Sequence, residues 1–109
     1  MAMLELRDCE HCTSCDLALT RERVVISRGA STAPLMLIGE APGAREDALG
    51  QPFVGRSGQL LDRLLLEVGL NPESDFYICN AVKCRPPQNR RPKRAELTAC
   101  RPWLDRQID

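Results

Sequence analysis

An apolar run, Leu35–Ile38, opens onto Gly39, Glu40, Ala41, Pro42 and Gly43. A carboxylate therefore stands at the carboxyl end of a strand-like segment. A second apolar run, Phe76–Val82, carries Asn80 near its own carboxyl end. In open α/β sheets, ligands bind just beyond the carboxyl ends of parallel strands. If the two runs are neighbouring strands, Glu40, Ala41 and Asn80 face one pocket. A side-chain amide donates and accepts hydrogen bonds at once, as the reading of a nucleobase edge requires. Phe53 offers a flat apolar face for stacking. Gly39, Gly43, Gly50 and Gly55 permit close backbone approach. Taken singly, Glu40 and Glu46 read as solvated acids, Phe53 as a core ring and Asn80 as a strand-end cap. Their combination points to a site.

The second set of reactive side chains is the cysteines, six in number. Cys12-Thr-Ser-Cys15 is a Cys-x-x-Cys that supplies two sulfurs to one ion or cluster. Cys84 and Cys100 follow with fifteen residues between them. Four thiolates suit tetrahedral zinc or a [4Fe–4S] cluster, and the spread of the second pair tilts the choice to the cluster. Cys79, inside a strand-like run, reads as an apolar packer. Cys9 competes with Cys12 because Cys9-x-x-Cys12 has the same spacing. His11, the only histidine, reads as an exposed side chain.

These groups need elements to position them. Pro34–Gly39 is an apolar run bounded by breakers, as in a buried parallel strand. Arg23–Ser27 reads as a short extended piece. From Ser57, Leu60, Leu61, Leu64, Leu65 and Val68 fall on one helical face, with Ser57 as N-cap and Gly69 at the C′ position. Phe76–Val82 is the second strand. From Pro92, Leu97, Cys100, Leu104 and Ile108 recur at helical spacing, with Pro102 expected to break or kink the helix. Two parallel strands and two helices cannot cover both faces of a sheet, so residues 1–109 read as the N-terminal portion of a single larger domain.

Composition bounds the function. The chain has 109 residues, 43% of them hydrophobic and 28% charged, with zero formal net charge. That is one globular domain at most. Whole-chain charge is silent about nucleic acid, but Lys83, Arg85, Arg90, Arg91, Lys93 and Arg94 crowd one stretch that contains no acid. Such a patch suits phosphate contacts, although charge alone slightly favours a solvated loop. No apolar run reaches membrane-spanning length and no signal peptide opens the chain. The expected compartment is the cytoplasm, where metal or cluster ligation is a better prior for cysteines than disulfides.

The segments "GEAPGAREDALGQPFVGRSGQLLD" and "ICNAVKCRPPQNRRP", with the spread cysteines, closely resemble the family 4 uracil-DNA glycosylases. The resemblance runs from Cys12 to Ile108. It implies a three-layer α/β/α fold with a central parallel sheet, truncated here after the second strand and following helix. It implies excision of uracil from single- or double-stranded DNA by hydrolysis of the N-glycosidic bond after base flipping. The position of Glu40 would serve the catalytic water or the charge developing on the sugar. Ala41 and Gly43 would line the uracil pocket, Glu46 would help exclude thymine's methyl group, Phe53 would stack on uracil and Asn80 would bind its edge. Cys12, Cys15, Cys84 and Cys100 would hold a [4Fe–4S] cluster, leaving Cys9 and Cys79 outside the ligand set. The full-length protein would act as a monomer and away from membranes. The family also carries a late histidine motif, which this sequence does not contain. The 109-residue chain is therefore expected to fold poorly alone and to show little or no glycosylase activity. The alternative is a non-enzymatic four-cysteine metal-binding module for nucleic acid, which leaves the "GEAPG" and "PFVG" segments unexplained.

Overall fold

The computed structural model describes residues 6–108. Two 3₁₀ turns, Leu6–His11 and Asp16–Leu19, lead into a small sheet with strands β1 (Arg28–Gly29), β2 (Leu35–Gly39) and β3 (Phe76–Asn80). Helices α1 (Ala44–Leu49) and α2 (Arg56–Glu67) lie between β2 and β3, and α3 (Arg94–Ile108) follows them. The strand order is β1-β3-β2.

β2 and β3 are parallel, in register from Leu35 opposite Phe76 to Gly39 opposite Asn80. This is the pairing expected from the two apolar runs. The sheet is nevertheless mixed, because β1 runs antiparallel to β3, with Arg28 opposite Ile78. The reason is the connection, residues 30–34, which is far shorter than the dozen or more residues that a parallel crossover needs. Arg23–Ser27 forms no ladder strand. Instead the buried Val25 donates its N–H to the Lys83 carbonyl at 2.7 Å.

β3 is the central strand, and Phe76, Ile78, Cys79 and Asn80 are all buried. β2 is an edge, and Leu35 and Ile38 stay exposed. The leucine face of α2 is covered only in part. Leu61 and Leu65 are half-buried, whereas Leu60, Leu64 and Val68 are exposed. The packed centre is a cluster of Cys9, Val82, Cys100 and Trp103, on which Leu6, Val24, Ile26 and Ala41 pack.

Two helix-end expectations change. The N-cap of α2 is Gly55, and Ser57 lies inside the first turn. Gly69 does take the left-handed conformation after the helix, at φ +83°. Pro102 does not end α3, which continues to Ile108. Proline removes one ladder hydrogen bond, but Cys100, Trp103 and Gln107 are buried on either side of it and hold the helix on the core.

Candidate functional site

The parallel register brings the ends of β2 and β3 together, and the backbone ladder continues beyond them. Ala81 N–H donates to the Gly39 carbonyl at 2.8 Å and Val82 N–H to the Glu40 carbonyl at 3.1 Å. The two strand-end loops therefore lie side by side. A cleft of about 250 Å³ opens there, lined by Ala41, Glu46, Phe53, Gly55, Arg56, Ser57, Gly58 and Asn80. An adjoining cleft shares Ala41, Phe53 and Asn80 and adds Gly39, Glu40, Gly43, Asn89 and Arg90. Each of the six residues expected at the site from the sequence lines one or both of these clefts.

Each is held by identifiable contacts. Asn80 is 3% exposed. No hydrogen bond ties its side-chain amide among the described residues, so the amide is available to the cleft. The Phe53 backbone is in the left-handed region at φ +57°, a conformation that non-glycine residues rarely adopt. Its ring lies against Gly39. A Cβ on Gly39 would stand 2.5 Å from Phe53 Cζ and would collide with Asn80 Oδ1. A glycine at the end of β2 is thus what lets ring and amide share one wall.

Glu46 organises the loop. Its carboxylate accepts from the N–H groups of Gly43 at 3.0 Å, Val54 at 3.0 Å and Gly55 at 2.5 Å. The first of these bonds closes the N-terminus of α1. Glu40, by contrast, has an exposed carboxylate that pairs with Arg91.

Several contributors were not singled out in the sequence. Asp47 is 3% exposed, and its Oδ1 accepts from the N–H groups of Glu22 at 2.9 Å and Arg23 at 3.2 Å. It ties α1 to the N-terminal segment. Arg28 is buried and contacts the Phe53 carbonyl. Nothing in local sequence marks either residue, because their partners lie more than twenty positions away.

The basic stretch divides. Lys83 leaves it, being 1% exposed. Its ammonium donates to the Asn80 carbonyl and, at 2.5 Å, to Gln107 Oε1. Burial pulls its pKa down, opposed by nearby Cys79, Cys100 and Cys9. Arg90 is committed to a two-armed pair with Glu96, both contacts at 2.8 Å. Arg91, Lys93 and Arg94 remain on the surface.

Five of the six cysteines gather at a separate cavity. Cys12, Cys15, Cys84 and Cys100 line one cavity together with Cys9, Arg21 and Lys83. Cys79 is fully buried within β3 and does not line it. Three N–H donors point at sulfur: Trp103 Nε1 to Cys12 at 3.3 Å, Arg21 Nη1 to Cys84 at 3.2 Å and Lys83 N to Cys100 at 3.2 Å. Burial pushes the Cys9 thiol up to about 12 and the Cys100 thiol up to about 11, with neighbouring cysteines adding to both. Burial also raises the Cys84 thiol, against the opposing hydrogen bond and charge of Arg21. Cys12 moves the other way: burial is outweighed by hydrogen bonds to Ser14 and Trp103 and by the charge of Arg21.

Among the described residues no three His, Cys, Asp or Glu side chains stand as a preformed metal site. The donor set still fits a soft, positively charged centre. Several sulfurs face one cavity, N–H groups support anionic sulfur, and a cation would supply the charge that lets the raised thiols ionise. His11 lies away from this cavity and from the strand-end clefts, beside Glu10, Glu22 and Arg23.

Residues 26–109 match the family model described as the uracil DNA glycosylase superfamily. A type-4 uracil-DNA glycosylase of Thermotoga maritima is 50% identical over 98 residues, covering 90% of this chain and 50% of that protein. One of Saccharolobus solfataricus is 52% identical over 99 residues, covering 90% of this chain and 45% of that protein. One of Archaeoglobus fulgidus is 43% identical over 104 residues, covering 95% and 52%. The chain spans about half the length of the curated relatives it matches.

Proposed function

Since the chain belongs to the uracil-DNA glycosylase superfamily, we propose that it carries the base-reading and water-side wall of a site that excises uracil from DNA. The observation that carries this reading is the shared wall: the Phe53 ring and the Asn80 amide meet over Gly39 and border one cleft with Ala41. A planar ring and a free amide, side by side at the strand ends, suit a flipped-out pyrimidine.

In this reading the N-glycosidic bond breaks as uracil departs with negative charge and the sugar gains positive charge. Water adds to the sugar carbon, and its proton is given up. The Glu40 carboxylate favours the developing positive charge and can take up the water's proton. Asn80 holds the uracil edge, Phe53 stacks on its face, and Ala41 and Gly43 shape the floor. Glu46 narrows the pocket where a thymine methyl would enter; its three backbone hydrogen bonds support a fixed carboxylate there. The chain's single histidine lies in another cavity, so it does not stabilise the departing uracil anion, and turnover by residues 1–109 is expected to be slow.

Cys12, Cys15, Cys84 and Cys100 would hold a [4Fe–4S] cluster in a structural role, joining the N-terminal segment to the loop after β3 and to α3. Arg91, Lys93 and Arg94 would contact DNA phosphates. No helix among the described residues is long and apolar enough to cross a membrane. Cysteines used for cluster ligation rather than disulfides suit a reducing compartment such as the cytoplasm. Action as a monomer is part of the same reading.

The test has two arms on the 109-residue chain. Titration with uracil, followed by NMR, should shift the Phe53 ring and Asn80 amide signals, while thymine should shift them less. Release of uracil from uracil-containing single-stranded DNA should be detectable but slow, and should fall further in Glu40→Gln. Absence of any uracil effect on Phe53 and Asn80 would overturn the site reading.

A further inference from the structure

The Arg28 guanidinium is buried beneath the Phe53 loop. Its Nη1 donates to the Phe53 carbonyl at 2.9 Å and, more weakly, to the Pro52 carbonyl at 3.4 Å. Its Nη2 pairs with Asp62 Oδ1, on α2, at 2.5 Å. Nε makes no hydrogen bond. It stands 3.2 Å from Glu73 Oε1, and that contact is Coulombic and largely exposed on the glutamate side. The fork thus spans three elements: it sits on β1, grips the loop and is anchored on α2.

The gripped residue is the strained one. Phe53 holds φ +57°, a conformation that persists only where the surroundings over-determine it. Three contacts do so. Arg28 binds the carbonyl from below. The first turn of α2 packs on the same backbone, so closely that a Cβ on Gly58 would overlap the Phe53 carbonyl group. Gly39 leaves room for the ring on the other side. Two planar N–H donors on one rigid fork can hold a carbonyl and a carboxylate together; a lysine ammonium, a single point charge, does not match that geometry.

We infer that Arg28, anchored by Asp62, is a positioning residue that locks Phe53 in its left-handed conformation and so presents the ring to the base. The use of the ring rests on the uracil-pocket reading above; the locking of the backbone does not. Arg28 does not line the cleft and acts through the Phe53 loop.

The test compares the full chain with Arg28→Gln, Arg28→Lys and Asp62→Asn by NMR, first without ligand. In Arg28→Gln the Phe53 and Val54 backbone signals should shift and broaden while those of Ile78 and Asn80 in β3 stay in place. Arg28→Lys should not restore them. With uracil added, Arg28→Gln and Arg28→Lys should each bind about tenfold more weakly than the parent chain. Unchanged Phe53 signals in Arg28→Gln, or full recovery in Arg28→Lys, would overturn the inference. If Arg28→Gln loses the β3 signals as well, Asp62→Asn decides. Selective broadening at Phe53 and Val54 then supports the inference; unchanged signals there, or a general loss, refute it. If the parent chain binds no uracil, the pocket reading falls, and the ligand-free comparison still judges Arg28.

Discussion

The Arg91 guanidinium reaches Glu40, with Nη2 and Oε2 3.2 Å apart, so the loop after β3 is paired electrostatically with the loop after β2. Both side chains are largely exposed, and such pairs contribute little to stability. The pair matters through what replaces it. A phosphate is a better partner for an arginine fork than a solvated carboxylate, so DNA binding would release Glu40 toward the sugar. Arg91→Ala should leave thermal stability within about 0.5 kcal/mol of the parent. It should weaken binding to uracil-containing single-stranded DNA and lower the slope of log K against log salt by about 0.7. Fluorescence anisotropy over a salt series measures both.

Gly39→Ala tests the shared wall. The added methyl meets Phe53 Cζ and Asn80 Oδ1, and overpacking of this kind costs about 1–3 kcal/mol. Uracil affinity should fall about tenfold or more by the same argument, with ring and amide signals displaced. An affinity equal to that of the parent chain would show that ring and amide need not be adjacent.

Glu96 sets the behaviour in acid. Two hydrogen bonds from Arg90 are the chief cause of its low pKa. Burial opposes them, and the Lys93 N–H and the Arg90 and Lys93 charges help, holding the carboxyl at about 2 against an ordinary 4.5. Because the folded value lies below the unfolded one, the stabilisation is fully present above about 4.5 and is lost as pH falls toward about 2. Urea midpoints should therefore drop across that window in the parent chain, and drop less in Glu96→Gln. The variant should also be less stable at neutral pH, since Arg90 and the Lys93 N–H lose a charged acceptor.

The cysteine cavity predicts a colour. Anaerobic reconstitution with iron and sulfide should give a brown chain with broad visible absorption. Cys100→Ser should abolish that absorption. Cys79→Ala, whose thiol lies outside the cavity, should retain it. A colourless chain that takes up zinc instead would favour the non-enzymatic metal-binding module.

Asp47→Ala removes the acceptor of two backbone N–H groups at a buried position. The two N–H groups belong to exposed residues and can turn to water, so the loss should be about 1 kcal/mol, the net worth of a typical hydrogen bond. Urea denaturation should show a loss of that size, with uracil binding by the remaining folded chain unchanged.

Much of the fold follows from local pattern. The two apolar runs, the α2 helix and the left-handed glycine behind it, and the existence of α3 are visible along the chain, but the buried face of α3 is Glu96, Cys100, Trp103 and Gln107, while Leu97 and Ile108 of the expected apolar face are exposed. The departures are where distant contacts override local preference. Pro102 is carried through α3 by buried neighbours on both sides. β1 turns antiparallel because five residues cannot make a crossover. Lys83, one of a run of basic residues by sequence, is drawn inside because the Asn80 carbonyl and Gln107 receive its ammonium.

The sequence by itself determined which residue types could form the site: Glu40, Ala41 and Gly43 on one strand end, Asn80 on the next, Phe53 and Glu46 on the loop, and the separated thiols. Residue type and position along a strand are local properties, and one-dimensional order retains them. Only the tertiary structure decided how these residues are held. Phe53 keeps its left-handed backbone against Arg28 and Gly58, Glu46 binds three backbone N–H groups, and Cys9 joins the cavity of Cys12, Cys15, Cys84 and Cys100. The physical reason is that hydrogen bonds, close packing and burial depend on distances between atoms far apart in the chain, which the order of residues does not state.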